Sequence, residues 1–239
     1  MAGNRGRAMN GQAWTFPADV WPQAAAGLVQ QRVAAGLRER GECSVMLTGG
    51  RSAGSLYRAW AAMPDFRQLA GIAFYFGDER CVAADHPASN YDMARQTLFR
   101  NGLPAGCRVF RMEADTPDHD AAARRYEQIL PEQLDVLLLG VGEDGHVASL
   151  FPGSPALHER LRRVVPVVGP KPPPQRLTIT PPVIARAKTV FVLATGLAKA
   201  RVWEMAMLDP ADADNLPARL VLNANWLLDA APPGGLFIE

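Results

Sequence analysis

The chain has 239 residues, 48% hydrophobic and 21% charged, the balance of a globular protein long enough to bury a large core. Its 25 basic and 24 acidic residues leave a net charge of +1, so no global field draws it to nucleic acid or to an anionic membrane. Any anion site must therefore be local. Cys43, Cys81 and Cys107 lie far apart with no CxxC pair, which suits a reducing compartment rather than a disulfide framework. The opening MAGNRGRAMNGQAW carries no signal-peptide apolar run, and no stretch reaches the length of a membrane span. A cytoplasmic protein with no nucleic-acid or membrane partner is expected, a monomer or weak homodimer. It should form a single domain over 1–239, with 1–15 a poorly ordered extension.

In chain order, 20–40 reads as a helix with Ala26, Val29, Val33 and Leu37 on one face and Gly41 just past its end. CSVML (43–47) reads as a buried strand, followed by TGGRSAGS and a helical stretch ending near Pro64. IAFYF (72–76) is a second strand running into GDER, and 90–100 is helical. RVF (108–110) is a short strand, and 118–130 a helix. DVLLLG (135–140) is the clearest strand and ends in VGEDGH. A Pro-rich connection follows, with VGPKPPPQ (168–175) as a loop. RLTIT (176–180) is a candidate strand, Pro181-Pro182 opens a short helix, and TVFVL (189–193) is a strand followed by ATGLAKA and a helix to about 208. DPADADNLP (209–217) is a loop, and NANWLLD (223–229) reads as a terminal helix.

Continuous apolar strands alternating with helices imply an α/β fold with a mainly parallel sheet covered on both faces. Ligands of such sheets bind outside the carboxyl ends of the strands. Four strands end there in TGGRS, GDER, GVGEDGH and ATGLAKA, a convergence that points to a site.

Each loop has a chemical reading and a plainer one. Gly49 and Gly50 let backbone N–H groups approach an anion at the start of a helix, with Arg51 following; the same residues also make a tight turn with an exposed arginine. Lys199 in Thr195-Gly196-Leu197-Ala198-Lys199 is placed to reach a phosphate at a helix N-terminus, or is a solvated lysine. Arg80 can clamp a phosphate bidentately while Asp78 orients hydroxyls or a water, yet by itself GDER reads as a salt-bridged loop. His146, one of four histidines, follows two carboxylates and two glycines; it can take a proton from water near neutrality and return it within one turnover. Asp144 is close enough to bond the ring or a hydroxyl. His86, His119, His146 and His158 show neither HxxxH nor HxH spacing.

LTGGRSAGSLY (47–57), FGDERCVAADHPASNY (76–91), LLLGVGEDGHVASLFPG (137–153), RLTIT (176–180) and FVLATGLAKA (191–200) resemble the signature segments of 6-phosphogluconolactonases, within the broader sugar-phosphate isomerase/lactonase superfamily. The resemblance implies a Rossmann-like, sugar-phosphate isomerase-like sheet with helices on both sides and one active site at the strand ends. It also implies metal-independent, cofactor-free hydrolysis of 6-phosphogluconolactone in the oxidative pentose phosphate pathway. By the same resemblance His146 matches the catalytic histidine, Gly49, Gly50 and Arg51 the sugar-phosphate loop, Asp78 and Arg80 the acidic-basic loop, and Arg176 and Lys199 the basic phosphate-linked positions. Gly145 belongs to the substrate-binding set. Amino-sugar phosphate isomerase/deaminases carry a glutamate five residues after the histidine for proton shuttling; here that position is Phe151, which cannot transfer a proton. Isomerisation on the same fold and non-catalytic sugar-phosphate sensing are the competing readings.

Overall fold

The apolar runs that end in glycine turns do become a parallel sheet. In the computed structural model, which describes residues 12–209 and 213–231, the chain runs β1 (Ala13–Thr15), α1 (Trp21–Arg40), β2 (Cys43–Leu47), α2 (Arg51–Ala61), β3 (Ile72–Phe76) and β4 (Asp78–Arg80). It continues through α3 (Asn90–Thr97), β5 (Arg108–Val109), α4 (His119–Ile129), β6 (Val136–Gly140), β7 (Val164–Val168) and β8 (Gln175–Ile179). It closes with α5 (Pro181–Arg186), β9 (Thr189–Ala194), α6 (Leu197–Leu208) and β10 (Asn225–Leu228).

Seven strands pair in the order β1-β10-β9-β6-β2-β3-β5, every neighbour parallel. Leu137, Leu138 and Leu139 on β6 and Val45, Met46 and Leu47 on β2 are fully buried. A strand buried on both faces needs cover on both, and its apolar run is continuous rather than alternating for that reason. From β2 the chain steps outward to β3 and β5, and from β6 it steps the other way to β9 and β10. The order therefore reverses between β2 and β6. A crevice opens at such a switch point, outside the strands' carboxyl ends.

Three readings are corrected. NANWLLD is strand β10, not a helix: Trp226, Leu227 and Leu228 are buried between β9 and β1. A run of three apolar residues carries too little periodicity to separate strand from helix, and burial between two strands decided it. The expected N-terminal extension also shrinks, since Ala13–Thr15 pair with β10; residues 1–11 lie outside the described residues. Finally, part of the Pro-rich connection is β7, which with β8 and β4 makes a second, antiparallel sheet in the order β4-β8-β7. Pro166 lies within β7, which is tolerated because β7 is an edge strand. This small sheet sits beside the large one because β4 follows β3 after a single glycine, Gly77, whose N–H bonds Leu47 O on β2 (2.9 Å) and whose O accepts from Ile179 N on β8 (2.9 Å). No helix of the described residues is long and apolar enough to cross a membrane.

Candidate active site

The loop after β2 is held from below. Buried Tyr57 on α2 accepts from Thr48 N (2.8 Å) and donates to Thr48 O (2.9 Å), and burial pushes its phenol well above the ordinary range. Thr48 Oγ1 accepts from Gly140 N at 3.1 Å, tying the ends of β2 and β6 together across the switch point. The two glycines that follow serve different ends. A side chain on Gly49 would collide with the carboxamide of Asn90, so this glycine makes room for a neighbour. Gly50 has φ 94° and ψ 170°, a region open essentially to glycine alone, and nothing within 4 Å of where its side chain would stand.

The loop after β9 repeats this geometry. Gly196 has φ 88° and ψ 153°, again with open space beside it, and again precedes a helix. Ser52 Oγ and Thr195 Oγ1 join the two loops at 2.5 Å. Arg51 opens α2 and Lys199 lies in the first turn of α6. Burial and then the charge of Arg51 hold the Lys199 ammonium below its usual pKa, against the pull of Glu143 and Asp229. Arg51, Lys199 and Glu143 therefore share one neighbourhood.

GDER divides into separate tasks. Asp78 is buried, its Oδ2 accepting from Ser149 Oγ (2.7 Å) and its Oδ1 from Asn90 Nδ2 (3.1 Å). Glu79 is buried too and gathers Asn90 N (2.7 Å), Tyr91 N (2.8 Å), Arg80 N (2.8 Å) and Ser89 Oγ (3.0 Å). Burial raises its carboxyl while those donors pull it back. Glu79 thus fixes the start of α3, and the salt-bridged loop of the plainer reading is replaced by a buried carboxylate cage. Arg80 donates to Ala88 O (2.6 Å), and its buried Nε has no hydrogen-bond partner among the described residues. Arg176 stands opposite Arg80 across β4 and β8. Burial, then Arg80, lowers its guanidinium pKa, and Asp78 opposes this. Like charges facing each other across a strand pair are unfavourable and would be relieved by an anion.

The loop after β6 folds back on itself, Gly142 N donating to His146 O (2.9 Å) and Gly145 N to Gly142 O (3.0 Å). Gly145 has φ 80°, and Leu216 fills the space its side chain would need. This turn sets His146 Nδ1 2.5 Å from Asp144 Oδ1, and the hydrogen bond to His146 is the main reason the Asp144 carboxyl falls to about 2. A side chain on Gly142 would collide with both partners. The imidazole is 22% exposed, wet enough to meet a substrate and fixed enough to keep one orientation. On its other side it meets the Phe151 ring, centroids 4.7 Å apart. A cleft of about 870 Å³ opens beside Asp144 and Phe151, walled by Pro152–Ala156 and by Val165–Pro170.

The structure brings His146 and Asp144 into contact, sets Arg176 against Arg80, and groups Arg51 with Lys199. Among the described residues Asp78 bonds to Ser149 and Asn90 rather than to His146. Sequence reasoning missed Asn90, Ser149, Tyr57 and Gly169, since no local pattern signals the distant group that such a residue meets. Among the described residues no three His, Cys, Asp or Glu side chains gather as a metal ion would require.

Residues 18–228 match the family model described as glucosamine-6-phosphate isomerases/6-phosphogluconolactonase. The chain is 36% identical over 232 residues to the 6-phosphogluconolactonase of Mycobacterium tuberculosis, covering 90% of this chain and 94% of that protein. It is 38% identical over 226 residues to that of Homo sapiens, covering 87% and 86%. The solved 6-phosphogluconolactonase of Trypanosoma brucei superposes with a TM-score of 0.78 at 29% identity, covering 91% and 95%.

Proposed function

The chain belongs to the glucosamine-6-phosphate isomerase/6-phosphogluconolactonase family, and from that premise we propose that it hydrolyses 6-phospho-D-glucono-1,5-lactone to 6-phospho-D-gluconate, the second step of the oxidative pentose phosphate pathway. The observation that carries the reading is the His146–Asp144 pair at the switch point, packed against Phe151 where an isomerase or deaminase would need a carboxylate.

Asp144 stays ionised down to about pH 2, so it accepts the Nδ1 proton of His146 and leaves Nε2 as the basic nitrogen. Nε2 takes a proton from water as the oxygen attacks C1. Backbone N–H groups or a nearby cation offset the oxyanion charge. The tetrahedral intermediate then collapses, the bond between C1 and the ring oxygen breaks, and the imidazolium returns its proton to that leaving oxygen. Arg51, Arg80, Arg176 and Lys199, with the backbone of Gly49 and Gly50, hold the 6-phosphate and so fix C1 near His146. Asp144 orients the imidazole, and Asp78 supports the site from behind through Ser149 and Asn90. The same reading places the protein in the cytoplasm, its three free cysteines reduced, acting alone or as a weak homodimer on a small-molecule substrate.

Generating the lactone in situ with glucose-6-phosphate dehydrogenase and following acid release tests the proposal. Release well above the spontaneous rate is expected, with no ammonia from glucosamine 6-phosphate. A rate equal to the spontaneous one sinks it.

A further inference from the structure

Phe151 is not merely the residue that stands where a carboxylate is missing. Its ring has the His146 imidazole at 4.7 Å, tilted by 45°, and the Arg176 guanidinium carbon at 5.4 Å from the ring centroid. One side chain therefore touches both the base and a cation that the proposed function assigns to the phosphate.

The surroundings hold this stack in place. The ring is buried, 6% exposed. Gly169 backs it: a side chain there would come within 2.7 and 2.9 Å of the ring's Cε2 and Cζ and within 3.2 Å of Arg176 Nε. Arg176 is steadied by Pro173 O on Nε (3.2 Å), Lys171 O on Nη2 (3.3 Å) and a long contact of Nη1 with Ser149 Oγ (3.5 Å). All three partners are neutral, and Asp78 shares Ser149 with Arg176 rather than bonding it directly. A guanidinium left without a direct carboxylate, facing another arginine across the strands, gains most from an aromatic face. The same ring lies against the His146 imidazole, which Asp144 holds through Nδ1.

We propose that Phe151 is a positioning residue that ties phosphate recognition to the catalytic base, by packing against both Arg176 and His146. This rests on the assignment of Arg176 to the substrate phosphate. The ring gives Arg176 a fixed height above the crevice and gives His146 a fixed tilt, so an anion that engages the guanidinium meets an imidazole already aimed at C1. The aliphatic side chain of leucine fills much of the same volume and offers no π face.

The test is a kinetic double-mutant cycle on the full-length protein. Phe151→Leu is expected to lower kcat/KM about 10-fold, within the range of a desolvated cation–π contact, with the melting temperature and circular dichroism close to wild type. Arg176→Lys is expected to raise KM. In the Arg176→Lys background Phe151→Leu should cost no more than about 2-fold, because the partner through which it acts is already altered. Gly169→Ala, which displaces the ring from the other side without removing it, should reproduce the Phe151→Leu loss and stands in should that variant fail to fold. Additive losses in the cycle, or an undiminished kcat/KM in Phe151→Leu or Gly169→Ala, overturn the inference while leaving the phosphate role of Arg176 intact. An unchanged KM in Arg176→Lys overturns that assignment instead, and the inference with it.

Discussion

Gly50 and Gly196, at strand ends of the parallel sheet, have open space where a side chain would stand, whereas Gly169, beside the antiparallel sheet, has the Phe151 ring there. The same residue type does opposite work at these positions. Gly50 and Gly196 keep open space beside two helix starts, with Gly196 N donating to Asp229 Oδ1 (2.5 Å), while Gly49, Gly142 and Gly145 at the same strand ends make way for neighbouring side chains. Around the antiparallel sheet, glycine admits a neighbouring side chain, and the cation Arg176 is delivered by a buried network running from Asp78 through Ser149. Substitutions in the first region should thus alter binding or chemistry with little effect on folding. Those in the carboxylate cage around Glu79, beneath the second region, should damage folding.

The contrast is tested most severely by His146→Ala. Turnover is expected to fall roughly 10²- to 10⁴-fold, the usual worth of a positioned acid–base group, while thermal unfolding stays close to wild type because the ring is partly exposed. A folded variant with near-wild-type turnover would remove His146 from the mechanism.

Glu79→Ala should show the opposite pattern. It leaves four donors without their acceptor and is expected to cost roughly 3 kcal/mol in urea unfolding. Glu79→Gln, which keeps one acceptor oxygen and removes a buried charge, should cost visibly less. Equal stability of Glu79→Ala and wild type would show that the cage does not hold the fold.

Lys199→Met separates binding from stability in a single side chain. The lysine's pKa is held below its ordinary value of 10.5 by burial and by Arg51, so its charge opposes folding at neutral pH. The variant should melt slightly higher than wild type, with the gain shrinking as pH rises through the lowered pKa toward 10.5 and the wild-type lysine loses its proton. KM should rise about 10-fold over the same preparation. A lower melting temperature at pH 7 would contradict the burial argument.

The smallest effect concerns Asp144. Its carboxyl is lowered from 3.8 to about 2, so its stabilising contribution is complete above pH 3.8 and is lost as pH falls from there to about 2. Any stability difference between wild type and Asp144→Asn should therefore narrow across that window and be flat above it. Because the pair is partly exposed, the difference should be slight. A narrowing centred well above pH 4 would show that the carboxyl is not held by His146.

Residue patterns alone specified much of this molecule. The buried strands β2, β3, β6 and β9 announced themselves as apolar runs ending in glycine, since a strand covered on both faces must be apolar throughout. The sequence offered the approach of Asp144 to His146 as one of two roles, the ring or a substrate hydroxyl, and the fold of the turn selects the ring. Tertiary structure decided whatever depended on a distant partner. Ser52 meets Thr195 143 positions away, and Ser149 meets Asp78 71 positions away; no local pattern encodes such pairs. The direction of β8, the identity of β10 as a strand, and the placing of Arg176 against both Arg80 and Phe151 arose the same way. Local propensity fixes what a segment is able to become, but a short segment takes its final form, and a polar side chain its role, from the surface it is buried against.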